Sequence, residues 1–159
     1  MKVRVGFGYD VHRLAEGEEF WLGGVEVSHS KGCVAHSDGD VLIHAICDAL
    51  LGAANMRDIG YHFPDTSADF KNIDSKILLK QTVELIATKG YSIGNIDSTI
   101  ALQAPKIKPY IEEMQRVLAG VMNVDVDDVA IKATTTEKLG FEGREEGVAA
   151  YATVLIQVR

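Results

Sequence analysis

The amino-acid sequence predicts an α+β fold in which one mixed β-sheet carries its helices on a single face. Three observations lead to this prediction. The chain has 159 residues, which suits one domain with a sizeable core rather than two. Segments with strand and helix periodicity follow one another in the order strands, helix, helix, strand, helix, strand, strand. Neither a repeat nor a linker interrupts them, so residues 1–159 are expected to form a single layered domain.

The first element is a strand. In residues 2–8, Val3, Val5 and Phe7 alternate with small or polar residues, and this period of two indicates a half-buried strand. The strand is expected to continue through residues 9–12.

A hairpin and a helix follow. Residues 20–27, interrupted by two glycines, are typical of a short pair of strands. Asp38 or Asp40 suits the N-cap of a helix that continues to about Asn55, because its apolar residues recur at helical spacing.

The middle of the chain alternates between irregular and regular structure. Residues 57–72 are rich in Asp and Gly without a sustained period, which predicts a long loop, and long loops in compact domains are often functional. Residues 74–89 favour a helix that ends at Gly90. Residues 95–103 then alternate as a strand.

The last third of the chain predicts one helix and two strands. Pro109 suits the first turn of an amphipathic helix. Residues 129–136 and 148–158 are rich in β-branched side chains, as strands are. Because residues 148–158 are apolar on both faces, that strand is either central in the sheet or lies at a subunit interface.

Composition narrows the class of function. The net charge of −7, without a basic block, argues against a nucleic-acid or anionic-membrane partner. The longest nearly apolar stretch, residues 41–54, is too short to cross a bilayer, and residues 1–7 lack the apolar core of a signal peptide. A cytoplasmic protein is expected. Cys33 and Cys47 show no CxxC spacing and are expected to be buried thiols.

Asp10, His12 and His44 form a candidate metal site. Asp10 and His12 are two residues apart on the first strand, so their side chains point to the same face. His44 forms a row with Asp40 and Asp48 on one helical face, and neighbouring carboxylates commonly support a metal-binding histidine. Mixed nitrogen and oxygen ligands suit zinc with an open position for substrate, with manganese as an alternative. A chance DxH pattern, with His44 a core histidine bonded to Asp48, is the competing interpretation.

Two further segments carry groups suited to phosphate. His36 and Ser37 precede the helix after residue 40, and a helix N-terminus favours anions. A plain capping loop is the alternative, but it leaves His36 unexplained. Residues 132–138 combine three hydroxyls, two lysines and Glu137, which can hold magnesium between phosphates, although a solvated turn has the same composition. The lysines of residues 103–108 suit either surface charge or a diphosphate clamp.

Five motifs follow one another along the chain: GYDVHR (8–13), AHSDGDVLIHAICDALLGAA (35–54), DIGYHFPDT (58–66), GNIDSTIALQAPK (94–106) and KATTTEKLGFEGREEG (132–147). In this order, and over nearly the full chain, they resemble the 2-C-methyl-D-erythritol 2,4-cyclodiphosphate synthase family. The resemblance implies a homotrimer with active sites shared between subunits. It also implies an enzyme of the non-mevalonate isoprenoid pathway that converts 4-diphosphocytidyl-2-C-methyl-D-erythritol 2-phosphate to the cyclodiphosphate and CMP.

The resemblance also assigns roles to individual residues. Asp10, His12 and His44 match the metal ligands, with one zinc or manganese ion per subunit, and Asp10 and His12 also border the substrate. His36 and Thr135 match the residues that stabilise the transition state. The residues that match the methylerythritol phosphate side are His36, Ser37, Asp58, Ile59, Gly60, Phe63, Pro64, Asp65, Thr66 and Ser67. The residues that match the cytidine and diphosphate side, supplied by the neighbouring subunit, are Leu102, Gln103, Ala104, Pro105, Lys106, Ile107, Lys108, Thr134, Thr135, Thr136 and Glu137. Glu137 would bind magnesium, and Phe141 and Arg144 match further substrate contacts.

Two departures from the family pattern and two rival functions accompany this interpretation. Ser67 stands where the family motif has Asp, and Leu102 where many relatives have a smaller residue. A zinc hydrolase would use the same metal to activate water, with His36 or Asp48 as general base, but it gives residues 132–147 no role. A non-catalytic trimeric binding module would be expected to lack a metal ligand or His36, and the chain retains both.

Overall fold

The computed structural model describes residues 2–159, and the predicted mixed sheet is confirmed. The strands of the protein are β1 (Val3–Glu16), β2 (Trp21–Leu22), β3 (Val25–Glu26), β4 (Lys31–Val34), β5 (Tyr91–Ala101), β6 (Val129–Thr134) and β7 (Gly147–Val158). Its helices are α1 (Val41–Ala53), α2 (Ile59–His62), α3 (Ser75–Thr88), α4 (Ile111–Met122) and α5 (Gly140–Gly143). Three short 3-10 turns cover Ala68–Phe70, Lys108–Tyr110 and Val126–Asp128.

Five strands form the main sheet in the order β4-β1-β7-β5-β6. Only β5 and β6 are parallel, and the other neighbours are antiparallel. The strand β7 is therefore central, which is one of the two positions that its apolar faces predicted. The hairpin β2–β3 forms a separate two-stranded sheet.

Two predicted helix ends are also confirmed, whereas Pro109 lies in the 3-10 turn just before α4 rather than in the first turn of that helix. Asp40 is the N-cap of α1, and its buried carboxylate accepts hydrogen bonds from the backbone N–H groups of Ile43, Gly23 and Gly24. One side chain therefore caps the helix and ties the β2–β3 hairpin to it. Gly90 follows α3 with a φ of 79°, as expected of a residue just past a helix end.

The helix α1 packs directly on the strand β1 because two glycines of β1 leave room for it. A Cβ atom at Gly6 or Gly8 would overlap the carbonyl oxygen of Ala49 or Ala45, respectively. Backbone therefore meets backbone at this interface, and the even-numbered residues of β1 face the helices. This close approach determines where the functional side chains of β1 and α1 meet.

The face of β1 that is buried differs from the prediction. The period of two is right, but Val5 and Phe7 are 66% and 64% exposed, whereas Gly6 and Gly8 are buried. The pattern was misleading because the buried partner of α1 is a pair of glycines, which carry no hydrophobic signal. The apolar residues instead form the open sheet face, defined here as Val3, Val5, Phe7, Tyr9, Val11 and Tyr151.

The segment 57–72 is more regular than a loop. It contains the helix α2 and a 3-10 turn, and Asp58 caps α2 by accepting a hydrogen bond from Tyr61 N. Asp48 of α1 accepts a second bond from Ile59 N at 2.8 Å. Asp48 thus fastens this segment to the helix that carries His44. No helix within residues 2–159 is long and apolar enough to cross a membrane.

Candidate metal centre and active site

Asp10, His12 and His44 meet where β1 faces the first turn of α1. Asp10 Oδ2 lies 3.0 Å from His12 Nε2 and 3.0 Å from His44 Nδ1, and the two histidine nitrogens are 3.1 Å apart. The three side chains are between 11% and 26% exposed, so the site opens to solvent on one side. The predicted ligand trio is therefore brought together, and the alternative of a histidine bonded to Asp48 is wrong.

The three ligand atoms have the spacing that a tetrahedral metal site requires. Zinc lies about 2.0–2.1 Å from such ligands, so two ligand atoms on one face of a tetrahedron are about 3.3 Å apart. The observed edges of 3.0–3.1 Å come close to that value. Two imidazole nitrogens and one carboxylate oxygen leave a fourth position free. The site therefore fits a divalent cation.

The hydroxyl of Ser75 orients His44. The Nε2 atom of His44 lies 2.9 Å from Ser75 Oγ and 3.3 Å from Ser37 Oγ. Ser75 donates its own hydroxyl proton to Asp38, so its oxygen is left to accept a proton from His44 Nε2. This arrangement assigns the proton to Nε2 and leaves the lone pair of Nδ1 directed at the metal position.

The carboxylates that were expected to support His44 have other roles. Asp40 caps α1, and Asp48 bonds to Ile59 N. The helical row therefore does not bond to the ring of His44, which is held instead by Ser75, itself bonded to Asp38. Sequence spacing could not find Ser75, because 31 residues separate it from His44.

Asp10 and His44 shift each other's pKa values in the candidate metal site. Burial raises the pKa of Asp10, but hydrogen bonds and charge from His12 and His44 outweigh burial and hold that pKa far below its usual range. For His44, burial lowers the pKa, but the hydrogen bond and charge of Asp10, together with the charges of Asp40 and Asp38, raise it above its usual value. Asp10 is thus an anion at neutral pH, ready to share a cation with the two imidazoles.

A cleft of 430 Å³ adjoins the metal site. The predicted metal ligands His12 and His44 line it. Six of the residues predicted on the methylerythritol phosphate side line it as well: His36, Ser37, Ile59, Gly60, Phe63 and Asp65. Asp58 contributes through its cap on α2, and Ser67 through its carbonyl oxygen, which lies 3.1 Å from His36 Nε2. Pro64 and Thr66 are exposed residues between Phe63 and Ser67 and do not line the cleft.

Four apolar lining residues were missed by the sequence analysis. They are Ala35, Phe70, Ile73 and Leu78. The segment 67–73 reaches the cleft because Asn72 N donates to His36 O at 2.8 Å and Asp38 N donates to Ile73 O at 3.2 Å. Phe70 and Ile73 were detectable only as apolar residues at the end of a polar loop.

The remaining predicted residues form a second cluster at the ends of β5 and β6. Leu102 N donates to Thr134 O at 3.0 Å, and Lys138 N donates to Gln103 Oε1 at 3.1 Å, so the segments 102–108 and 134–137 adjoin each other. Phe141 packs near Gly147, and Arg144 pairs with Glu146 at the surface.

The two clusters do not meet within one subunit. The register places Asp10, Ala150 and Ile100 side by side, so both clusters lie at the same end of the sheet. However, β1 and β6 are three strand spacings apart, or about 14 Å. The residues of segments 102–108 and 134–137 do not line the cleft.

The fold and site define a class of protein: an α+β domain with a candidate metal triad beside a cleft large enough for a small molecule. Residues 3–157 match the model of the YgbB family, and the chain belongs to that family. It is 72% identical over 156 residues to the 2-C-methyl-D-erythritol 2,4-cyclodiphosphate synthase of Bacteroides fragilis, covering 98% of both chains.

Solved structures agree with this membership. The bifunctional IspDF from Campylobacter jejuni is similar with a TM-score of 0.96 and 42% identity, and the match covers 99% of this chain and 43% of that longer one. IspF from Plasmodium falciparum in complex with CDP has a TM-score of 0.86 and 34% identity, covering 99% and 97% of the two chains.

Proposed function

We propose that this chain converts 4-diphosphocytidyl-2-C-methyl-D-erythritol 2-phosphate to 2-C-methyl-D-erythritol 2,4-cyclodiphosphate and CMP in the non-mevalonate isoprenoid pathway. The observation that carries the proposal is the converged triad of Asp10, His12 and His44 beside the cleft, in a chain so similar to synthases of that name. Residues 1–159 act as a single cyclase domain. A cytoplasmic location accords with the two buried free thiols, Cys33 and Cys47.

The reaction is an intramolecular phosphoryl transfer. An oxygen of the 2-phosphate attacks the β-phosphorus, and the bond from that phosphorus to the oxygen bridging to the α-phosphorus breaks. The bridging oxygen leaves with CMP. The substrate supplies both nucleophile and leaving group, so the protein contributes position and charge rather than a nucleophile of its own.

The cleft side of the site holds the methylerythritol phosphate. We assign zinc, with manganese as the alternative, to Asp10, His12 and His44, and when bound such an ion polarises a phosphate oxygen as a Lewis acid. His36 stabilises the charge that develops on the transferring phosphoryl group, and its contact with Ser67 O holds the ring at the cleft. The other residues around this part of the substrate are Ser37, Asp58, Ile59, Gly60, Phe63, Pro64, Asp65, Thr66 and Ser67.

The second cluster binds the cytidine and diphosphate. Segment 102–108 surrounds the nucleotide, and Thr134, Thr135 and Thr136 lie on the diphosphate side, with Thr135 stabilising the transition state. Glu137 offers a carboxylate to the magnesium ion that accompanies the diphosphate. Phe141 and Arg144 make further contacts with the substrate.

A homotrimer brings the two clusters together. Because the clusters lie at the same end of the sheet but three strand spacings apart, we propose that the cleft of one subunit faces the second cluster of its neighbour. The open sheet face supports this assembly, since it exposes six large apolar side chains on one face, and a group of exposed apolar residues of this kind commonly marks an interaction site. A threefold arrangement would bury that face around a central axis.

Phosphorus NMR of the purified protein with the diphosphocytidyl substrate tests the activity. We expect a cyclic diphosphate together with CMP, and no reaction after metal removal by a chelator. Linear hydrolysis products would support the zinc hydrolase instead. Stoichiometric metal and nucleotide binding without turnover would support the binding module. His44→Ala should lose both bound metal and turnover.

A further inference from the structure

Two consecutive residues of the second cluster have an unusual backbone conformation. Glu137 and Lys138 have φ angles of 55° and 63°, in the left-handed region that residues other than glycine rarely adopt. Such residues persist only where the surroundings hold them, and they are common at functional sites. The turn therefore needs an external support.

Gln103 supplies that support. Its Oε1 atom accepts a hydrogen bond from Lys138 N at 3.1 Å, across 35 residues of sequence. Gly143 lets the chain pass close behind, since a Cβ atom there would lie 2.6 Å from Lys138 Cα. The bond between Leu102 N and Thr134 O anchors the base of the turn beside Gln103.

The conformation of this turn determines where its polar groups point. Thr135 Oγ1 accepts a bond from Glu137 N at 3.3 Å, and the side chains of Thr135 and Glu137 are exposed. A return of Lys138 to the right-handed region would redirect the backbone on both sides of it. The turn would then present its hydroxyl and carboxylate in a different direction.

We infer that Gln103 is a positioning residue that holds the Glu137–Lys138 turn in its left-handed conformation and so presents Thr135 and Glu137 to the diphosphate and its magnesium ion. This inference rests on the proposed function. It assigns the side chain of Gln103 to the protein's own backbone, because its carbonyl oxygen is already bonded to Lys138 N. Any contact of this residue with cytidine then falls to its side-chain Nε2 or to its backbone groups.

Gln103→Met removes the acceptor at similar length, and Gln115→Met is the matched control. Gln115 also forms one side-chain bond to backbone, from its Nε2 to Val129 O at 2.7 Å, but lies on α4 away from the turn. Loss of one such hydrogen bond changes an equilibrium constant by about threefold to tenfold. We expect Gln103→Met to lower kcat/KM by that factor and to raise the magnesium concentration for half-maximal rate, with bound zinc unchanged.

Lys138→Asn separates positioning from other effects, because Asn adopts the left-handed region more readily than Lys. In the Lys138→Asn protein, Gln103→Met should lower kcat/KM by less than about twofold, which is a smaller factor than the loss of one hydrogen bond gives. An equal loss in both backgrounds, a wild-type rate for Gln103→Met, or the same loss for Gln115→Met would overturn the inference.

Hydrogen exchange makes the test independent of the proposed function. Amide exchange at residues 137–139 should accelerate in Gln103→Met and remain unchanged in Gln115→Met. If the wild-type protein does not form the cyclic product, the proposed function fails, and the exchange rates still decide whether Gln103 holds the turn. Unchanged exchange in Gln103→Met would refute the positioning role whatever the activity.

Discussion

At the scale of single residues, the hydroxyl of Ser75 determines which nitrogen of His44 faces the metal position. Asp38 accepts the hydroxyl proton of Ser75, so the oxygen accepts from His44 Nε2. Groups of this kind contribute to metal affinity almost as directly as the ligands do, because they fix tautomer and ring orientation.

Ser75→Ala should therefore weaken zinc binding without removing a ligand. We expect the dissociation constant, measured by competition with a chromogenic chelator, to rise about tenfold to hundredfold. Ser98→Ala is the matched control, because Ser98 is also buried and donates its hydroxyl to a backbone oxygen, that of Ala130, away from the metal. Equal affinities of the two variants would refute the orienting role of Ser75.

The pair Asp10 and His44 makes metal binding depend on pH. Burial lowers the pKa of His44, but Asp10 and the nearby charges of Asp40 and Asp38 raise it by more. In the metal-free protein this imidazole therefore stays protonated at pH values above its ordinary pKa of 6.5. A metal must displace that proton. Zinc affinity should therefore increase with pH until the raised pKa is passed. Titration calorimetry in two buffers of different ionisation enthalpy should detect about one proton released from this residue.

The same shift has a consequence for stability. Because the folded-state pKa of His44 is raised, its pairing with Asp10 stabilises the metal-free protein fully below the unfolded-state value, near 6.5, and this contribution is lost as pH rises through the folded-state pKa. Zinc should therefore raise the melting temperature more at pH 8 than at pH 6. An equal increase at both values would contradict the coupling.

At the scale of elements, the contact of α1 with β1 decides whether the metal site forms. Gly8→Ala places a methyl group against the carbonyl oxygen of Ala45, one residue from His44. We expect a loss of about 3 kcal/mol in the free energy of unfolding, the upper range for overpacking, together with reduced bound zinc. Urea unfolding monitored by circular dichroism measures the first, and elemental analysis the second.

Gly52→Ala is the control for that substitution. Gly52 belongs to the same helix, but a Cβ atom there meets nothing within 4 Å. Alanine should stabilise the helix by about 0.5 kcal/mol, because it loses less backbone entropy than glycine. Destabilisation of the same size in both variants would show that close packing on β1 is not the cause.

The elements also show what sequence can predict. Caps and periodicity predicted α1, α3 and α4 because those signals are local, as with Asp40 at the start of α1. The buried face of β1 was not predictable from hydrophobicity, because its interior residues are glycines. Within the site, Asp10 and His12 follow from strand alternation, whereas Ser75, Phe70 and Ile73 reach the cleft only through tertiary contacts between distant segments.

At the scale of the whole molecule, a single chain holds the two clusters of the proposed site apart. His36 lies in the cleft beside the metal triad, and Thr135 lies at the end of β6, about three strand spacings away from β1. If neighbouring subunits complete each other, then a defect in one half can be repaired by an intact half on another chain. A site built within a single subunit does not allow such repair.

His36→Ala and Thr135→Ala, expressed together in equal amounts, distinguish these two arrangements. Each variant alone should be nearly inactive. In randomly mixed trimers, a site is intact when the subunit giving the cleft carries Thr135→Ala and its neighbour carries His36→Ala. Each condition holds for half of the subunits, so about one quarter of sites, and of the wild-type rate, should return. Separately tagged chains, purified through both tags, leave only mixed trimers, in which one site of three is intact, so about one third of the wild-type rate should return after this purification. An inactive mixture would show that each subunit builds its site alone.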